Sequence, residues 1–248
     1  MSATSTDIEN RRAGVPATHR KARTKQPRLL DLFCCAGGAT HGYQRAGWHV
    51  TGVDLLPRPD YCGDEFIAAD AVSFVRAHGH EFDAIHASPP CQDHSMLTRS
   101  NRKRAGWTDG HVNLIPPTRA ALLATGRPWV MENVVGAPLR PDLVLCGLMF
   151  DLRVFRHRVF ELHGFAAFSP AHRTHRGHRV AGWRHGVRHD GDMVAVYGDG
   201  GGKGTTEQWQ AAMGIDWTAD REAIAQAIPP AFAHYIGDHL MTAVGAIA

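Results

Sequence analysis

No apolar run in this 248-residue chain approaches the roughly 20 residues that a bilayer-spanning helix needs. Its first residues hold no apolar signal core, so a soluble, intracellular, cytoplasmic protein is expected. Cysteine is sparse: five residues, an odd number, with no Cys-x-x-Cys pair. That argues against a disulfide scaffold and a zinc ribbon, and leaves reduced thiols. The G-x-G-x-x-G fingerprint is missing, which disfavours a nicotinamide dinucleotide and an oxidoreductase built to use one. In the Gly-rich stretch 198–204, Gly204 follows Lys203 where a phosphate loop needs Ser or Thr for magnesium, so a flexible loop is expected. Internal repeats are absent.

Acidic residues are thin in two places. Residues 1–28 carry seven Arg/Lys against two acids, and 153–188 holds eight arginines and six histidines against Glu161 alone. The net charge is only +3, so both basic segments sit on a near-neutral body. They suit the grip of a polyanion or a solvated surface equally well. His172, His175 and His178 have a spacing that suggests metal ligands. With no cysteine nearby they are read as exposed or phosphate-facing, and no metal is expected.

What is present is a pattern of buried strands alternating with short helices. Apolar runs predict strands over 29–33, 48–53, 66–69, 82–87 and 128–131. Helices are predicted near 40–46, 71–77 and 118–125. The tail predicts a strand at 193–197, then helices over 206–213 and 224–240 broken at Pro229-Pro230. The alternation predicts an α/β fold with a doubly wound, mostly parallel sheet. Ligands in such sheets sit beyond the carboxyl ends of the strands. Asp54, Asp70, Cys91 and Glu132 each fall at or just beyond a predicted strand end.

DLFCCAGG, from Asp31 to Gly38, joins the first strand to a helix through small residues. Gly37 and Gly38 would let a ligand approach the backbone, and the helix start offers free N–H groups. Asp54 is placed to accept from ribose hydroxyls, and Asp70 to face an adenine amino group. Either acid alone reads as well as a cap or surface residue. Together they favour an adenosine-bearing cofactor.

HASPPCQDHS puts Cys91 on a loop stiffened by Pro89 and Pro90, just past a strand. A rigid loop suits a nucleophile that must be aimed, whereas a lone cysteine is otherwise an inert small side chain. Glu132 follows Trp129-Val130-Met131 and should be partly buried, as a proton donor with a raised pKa or as a loop anchor. Arg156 and Arg158 flank His157. On a strand both would face one side and hold a base oxygen or a phosphate, or simply line a solvated edge.

These pieces resemble the C5-cytosine DNA methyltransferases. DLFCCAGG resembles their first S-adenosyl-L-methionine motif, SPPCQ followed by Ser95 the catalytic loop, and ENV (132–134) the motif that supplies the acid. RHR (156–158) resembles their Arg-x-Arg motif and AQAIPPAF (225–232) the last motif, which folds back to the cofactor. The order matches, and the resemblance covers about 28–165 and 205–240. It implies a Rossmann-like fold with a small target-recognition insertion. The implied divisions are a disordered basic arm (1–27), a catalytic core (28–162), a recognition region (163–204) and C-terminal helices (205–248).

The resemblance further implies methyl transfer from S-adenosyl-L-methionine to C5 of cytosine, through a covalent bond from Cys91 to C6 of a flipped base. Glu132 would bind or protonate N3, and Arg158 would hold O2 with Arg156 in support. Asp31, Phe33, Cys34, Ala36, Gly37, Gly38, Asp54, Asp70, Ala71, Pro89 and Gln226 would meet the cofactor. Ser88, Pro90, Gln92, Ser95, Asn133, Arg173, Arg176 and Arg179 would meet the nucleic acid. The implied partner is double-stranded DNA, bound by a monomer that a restriction endonuclease accompanies in the cell. Methylation of RNA, or DNA binding without catalysis, are the alternatives. Two positions depart from the family pattern: Cys35 stands where a glycine is usual, and Gln226 where an asparagine is.

Overall fold

The computed structural model describes residues 26–90, 113–184, 186–198 and 204–247. Its centre is a seven-stranded sheet. Strands β1 (Arg28–Leu32), β2 (His49–Asp54), β3 (Glu65–Ala68), β4 (Ala84–Ala87) and β5 (Trp129–Val134) run parallel. β6 (Leu143–Leu145) and β7 (Arg158–His163) follow, with β7 antiparallel to both β5 and β6. The order across the sheet is β3-β2-β1-β4-β5-β7-β6. A separate hairpin pairs β8 (Gly182–Arg184) with β9 (Val187–His189).

The strands are continuous apolar runs because both faces of the sheet are covered. Successive residues of β1 go to opposite sides. Leu29 joins Val50, Val130 and Phe160 in one core, roofed by Tyr43 of α1 (Gly38–Arg45) and Phe232, Ile236 and Leu240 of α6 (Pro230–Ile247). Leu30 and Leu32 join Val53 and Ile85 in the other, under α2 (Ala71–His78) and α3 (Ile115–Ala124). α1 and α6 come so close that a Cβ on Gly42 would lie 2.2 Å from the Pro230 carbonyl oxygen. The last stretch of the chain is thereby pinned against the first β–α turn.

Two short helices, α4 (Thr206–Met213) and α5 (Arg221–Gln226), lead into α6. A capping box at Thr205 and Gln208 starts α4, and Asp220 caps α5. The strand predicted at 193–197 is not formed. Met193, Val194 and Val196 are buried in two satellite clusters, and the backbone ties to Arg179 and Arg153 carbonyls with a single bridge to Val180. Those apolar residues serve loop packing rather than a sheet ladder. Among the described residues no helix is long and apolar enough to cross a membrane. The basic arm up to residue 25 lies outside the described residues, as do 199–203 of the Gly-rich loop.

Candidate active site

A cavity of about 530 Å³ opens at the carboxyl ends of β1, β2, β4 and β5. Asp31, Phe33, Cys34, Cys35 and Gly38 contribute from the first β–α turn. Asp54, Asp70 and Ala71 come from the next strand ends, Ser88, Pro89 and Pro90 from the loop after β4, and Glu132, Arg158 and Gln226 complete it. Most of the residues expected at a cofactor or at the reaction centre therefore share one concavity.

The turn after β1 is forced. Phe33 (φ 61°) and Cys35 (φ 48°) adopt left-handed backbone without being glycine, at a cost on the order of 1–2 kcal/mol each. Strapping to β2 compensates. The Phe33 and Cys34 amides donate to the Val53 carbonyl at 2.8 and 3.2 Å, and the Cys35 amide donates to Asp54 Oδ2 at 2.9 Å. The other oxygen, Asp54 Oδ1, has two long contacts, Arg58 Nη2 and the Leu56 amide, both at 3.5 Å. It thus retains capacity to accept from a ligand.

Asp31 is 1 % exposed, and Thr40 Oγ1 donates to it at 2.5 Å. Burial pushes its carboxyl up to about 7 despite that bond. Asp70 caps α2 by accepting from the Ser73 amide at 2.8 Å, while it also lines the cavity. The cap is formed, and the acid keeps a place at the cavity wall.

The two glycines need correction. Ala36 and Gly37 do not line the cavity. The Ala36 carbonyl accepts from Trp217 Nε1 at 2.8 Å, and a Cβ on Gly37 would lie 2.7 Å from Cys62 Sγ. Gly37 (φ 90°) serves the turn and its packing on Tyr61 and Cys62. Gly38 does line the cavity, but a Cβ there would meet the Ile228 carbonyl oxygen at 2.5 Å. Its missing side chain admits the returning chain at 225–228.

At the opposite wall, Glu132 ends 6 % exposed on β5. Burial raises its carboxyl, and Arg158 first, then Arg156, oppose the rise. Arg158 Nε lies 2.8 Å from Glu132 Oε1. The contact is ionic, for Oε1 makes no aligned hydrogen bond. A Ser88 hydrogen bond also favours the carboxylate. Behind Ser88 runs a polar chain: Ser88 Oγ to His86 Nε2 at 2.8 Å, and His86 Nδ1 to the Tyr43 hydroxyl at 2.9 Å. Burial drives the fully enclosed His86 down to about 3, so the ring is neutral and donates with one nitrogen while accepting with the other.

Arg156 differs from the expected twin of Arg158. It precedes β7, and its guanidinium donates to the Val196 and Ala225 carbonyls at 3.1 and 2.5 Å. It braces the returning chain. Asn133, expected to meet the nucleic acid, is 1 % exposed and donates from Nδ2 to the Pro89 carbonyl at 2.9 Å. It clamps the Pro-Pro loop. Cys91, Gln92 and Ser95 lie outside the described residues.

Arg173, Arg176 and Arg179 are exposed and none lines the cavity. Arg173 pairs with Asp151 at 2.9 Å, and the Arg179 amide donates to Asp192. The premise that no cysteine lies near the histidines needs correction: Cys146 Sγ lies 3.4 Å from His175 Nε2. His178 turns away, onto Asp192.

No family model matches the chain. Over 90 residues it is 38 % identical to a probable DNA (cytosine-5)-methyltransferase of Frog virus 3 (isolate Goorha), covering 34 % of this chain and 38 % of the relative. Over 91 residues it is 30 % identical to the type II methylase M.HgiDII of Herpetosiphon aurantiacus, covering 32 % of this chain and 26 % of the relative. The chain thus spans well under half the length of either. The S. pombe Dnmt2 methyltransferase superposes with a TM-score of 0.58, over 87 % of this chain and 98 % of that one, at 12 % identity. The Entamoeba histolytica methyltransferase EhMeth gives 0.53, over 88 % and 99 %, at 9 % identity. The two superpositions establish that the chain shares the Rossmann-like fold of those two proteins.

Over about a third of its length the chain is thus similar to one protein named as a DNA (cytosine-5)-methyltransferase and one named as a type II methylase, in keeping with the family its motifs resemble.

Against that family's pattern the two departures touch. Cys35 Sγ lies 3.9 Å from Gln226 Oε1, across the mouth of the cavity. Cys35 has a left-handed backbone, which is the physical reason a glycine suits the position. Sequence reading missed Arg58, Leu55, His86 and Tyr43. Leu55 carried a signal, a leucine directly after a strand-end acid, and it stands 69 % exposed at the cavity. His86 and Tyr43 carried none, since their pairing joins β4 to α1.

Proposed function

We propose that this chain transfers a methyl group from S-adenosyl-L-methionine to C5 of cytosine in DNA. The observation that carries the proposal is convergence: one cavity collects Asp54 and Asp70, the loop leading to Cys91, and the buried Glu132–Arg158 pair. Both curated relatives are named as methylases, one of DNA at cytosine C5.

The cavity fits the cofactor. Its volume is in the range of small-molecule sites. Asp54 Oδ1, with only two long contacts of its own, has capacity to accept from a ribose, and Phe33 and Leu55 offer apolar surface at the same cavity. When bound, the cofactor supplies an electrophilic methyl on a sulfonium.

The chain's own residues prepare the base. Cys91 follows Pro90, which lines the cavity, and Asn133 holds the Pro89 carbonyl, so the peptide preceding the thiol is fixed. Thiolate attack at C6 makes C5 enamine-like. Glu132, whose carboxyl is raised by burial while Arg158 and Arg156 oppose the rise, binds or protonates N3 and neutralises the charge that develops as sulfur adds. Arg158 orients that carboxyl and offers its remaining donors to O2. Loss of the C5 proton then expels Cys91. C6 is out of reach within a stacked duplex, so the base is flipped. The exposed arginines of the basic region, Arg173, Arg176 and Arg179, meet phosphates. Region 163–204 is the recognition insertion, 28–162 the core and 205–248 the returning helices.

Labelled methyl transfer by the purified chain tests this on duplex DNA and on transfer RNA, with bisulfite sequencing of the product. Transfer to DNA cytosine is expected, abolished in Cys91→Ser with cofactor binding nearly intact. Full turnover by that variant refutes the nucleophile, and transfer to RNA alone overturns the substrate.

A further inference from the structure

Cys146, His157, His172 and His175 come together beside the active site, although 29 residues separate the first from the last. One potential ligand atom from each lies within 4.8 Å of all the others. His175 Nε2 stands 3.4 Å from Cys146 Sγ and 3.2 Å from His172 Nε2. A tetrahedral zinc ion with sulfur at about 2.3 Å and nitrogens at about 2.0–2.1 Å sets its ligands roughly 3.3–3.6 Å apart.

The close contacts compete for the same nitrogen. A neutral imidazole nitrogen carries one proton or one lone pair. His175 Nε2 therefore satisfies Cys146 or His172, not both. The Cys146 thiol donates to the Phe155 carbonyl at 3.0 Å, which also accepts from the Gly147 amide at 3.0 Å. A single cation among the four atoms satisfies all of them.

The surroundings are those of a structural site. Cys146 is fully buried at the end of β6, and His157 and His175 are half-buried. The His175 ring stacks on Phe155 with centroids 4.4 Å apart, which holds its nitrogen in place. Between β7 and β8 the chain forms no helix or strand, and the adjoining core contains only Cys146, Leu148 and Met193 as buried members. A region with so small a core needs a cross-link to hold its shape.

We propose that Cys146, His157, His172 and His175 bind one zinc ion, which fastens the basic loop after β7 to the strand pair that carries Arg158. Two of the ligands, His172 and His175, then come from the recognition region, Cys146 from the turn after β6, and His157 from between Arg156 and Arg158. The metal orders a nucleic-acid-binding loop and fixes the start of β7 in one act. This site is independent of the reaction proposed above.

The test uses the full chain without a histidine tag. Zinc is counted by mass spectrometry after gel filtration, and cobalt(II) is titrated into chelator-treated protein. About one zinc per chain is expected, together with a tetrahedral cobalt spectrum bearing a thiolate charge-transfer band. Cys146→Ser should lose that band. Should Cys146→Ser fail to fold, the exposed His172→Ala serves, and it should reduce zinc content at least tenfold. His178→Ala, whose ring faces Asp192, should keep the metal. Chelation should lower the melting temperature of the wild type and leave His172→Ala unmoved. Less than a tenth of a zinc per chain with no cobalt spectrum overturns the proposal, as does equal zinc loss in His178→Ala and His172→Ala.

Discussion

The sulfur of Cys35 and the side-chain oxygen of Gln226 lie 3.9 Å apart, although the two residues stand 191 positions apart in sequence. Both positions depart from the family pattern, and they meet at one corner of the cavity. Cys35 bears the cost of a left-handed backbone there. Gln226 is held from its own helix, with Nε2 donating to Glu222 Oε1 at 3.0 Å.

A double-mutant cycle between these residues should therefore be non-additive. Cys35→Gly relieves the backbone yet leaves Gln226 without its neighbour, while Gln226→Asn is too short to reach it. The coupling in cofactor affinity, read by calorimetry across the four proteins, should reach about 0.5 kcal/mol or more. Additive single changes would show that the contact is incidental.

Arg158→Ala should be costly for stability as well as for turnover. Arg158 is the charge nearest the buried Glu132, 2.8 Å away, with the two side chains 15 % and 8 % exposed. Removing one member of a buried pair costs about 3–5 kcal/mol, because the other charge is left uncompensated. Glu132→Gln in the same chain should recover much of that loss, though neither variant should turn over. Urea melts of the three proteins at neutral pH decide it. No recovery in the double variant means that Arg158 acts through packing instead.

Asp31 makes stability fall as pH rises from about 4 to about 7, against the opposite slope of His86, whose ring burial holds neutral down to about 3. The Asp31 carboxyl, ordinarily near 3.8, is pushed up to about 7 by burial. The folded state thus holds a proton that the unfolded state has released. Its contribution is complete below about 3.8 and lost as pH passes through about 7. Over that window the change amounts to up to about 4 kcal/mol. Asp31→Asn keeps an oxygen for Thr40 and removes that titration, so its stability should rise more steeply with pH over the same range than that of the wild type, with the His86 slope no longer opposed. An unaltered slope in that variant assigns the effect elsewhere, with Glu132 the next group to examine.

The residues explain why some of this was readable beforehand. β1, β2, β4 and β5 are short apolar runs bounded by turn residues, and burial on both faces leaves that mark in sequence. β6, β8 and β9 have three residues each, too few to show a period. Met193, Val194 and Val196 look like a strand because burial requires apolar residues whatever the backbone does. Within the site, Glu132 and Arg158 were visible as strand-end charges. The true tasks of Asn133, Arg156 and Gly37 were not, since each is set by a partner distant in sequence: Pro89, Ala225 and Cys62. Cys146 and the histidines were hidden for the same reason, with the ligands spread over three segments.

Gly38→Ala separates steric from conformational roles of glycine in the first turn. Gly38 is the first residue of α1, so alanine suits its backbone and adds helix propensity. The added Cβ, however, would lie 2.5 Å from the Ile228 carbonyl oxygen and 2.9 Å from Ala227 Cβ. The contact is with backbone, so the returning chain at 225–228 must move. That chain carries Ala225, Gln226, Ala227 and Ile228 into the cavity. Cofactor affinity should weaken at least tenfold while the melting temperature changes by only a few degrees, since overpacking at one edge costs about 1–3 kcal/mol. Gly37→Ala, at φ 90° and outside the cavity, should show the opposite balance, with stability lost and affinity nearly kept. Calorimetry and thermal melts on the two variants measure both quantities, and equal behaviour would mean that the turn responds as one rigid unit.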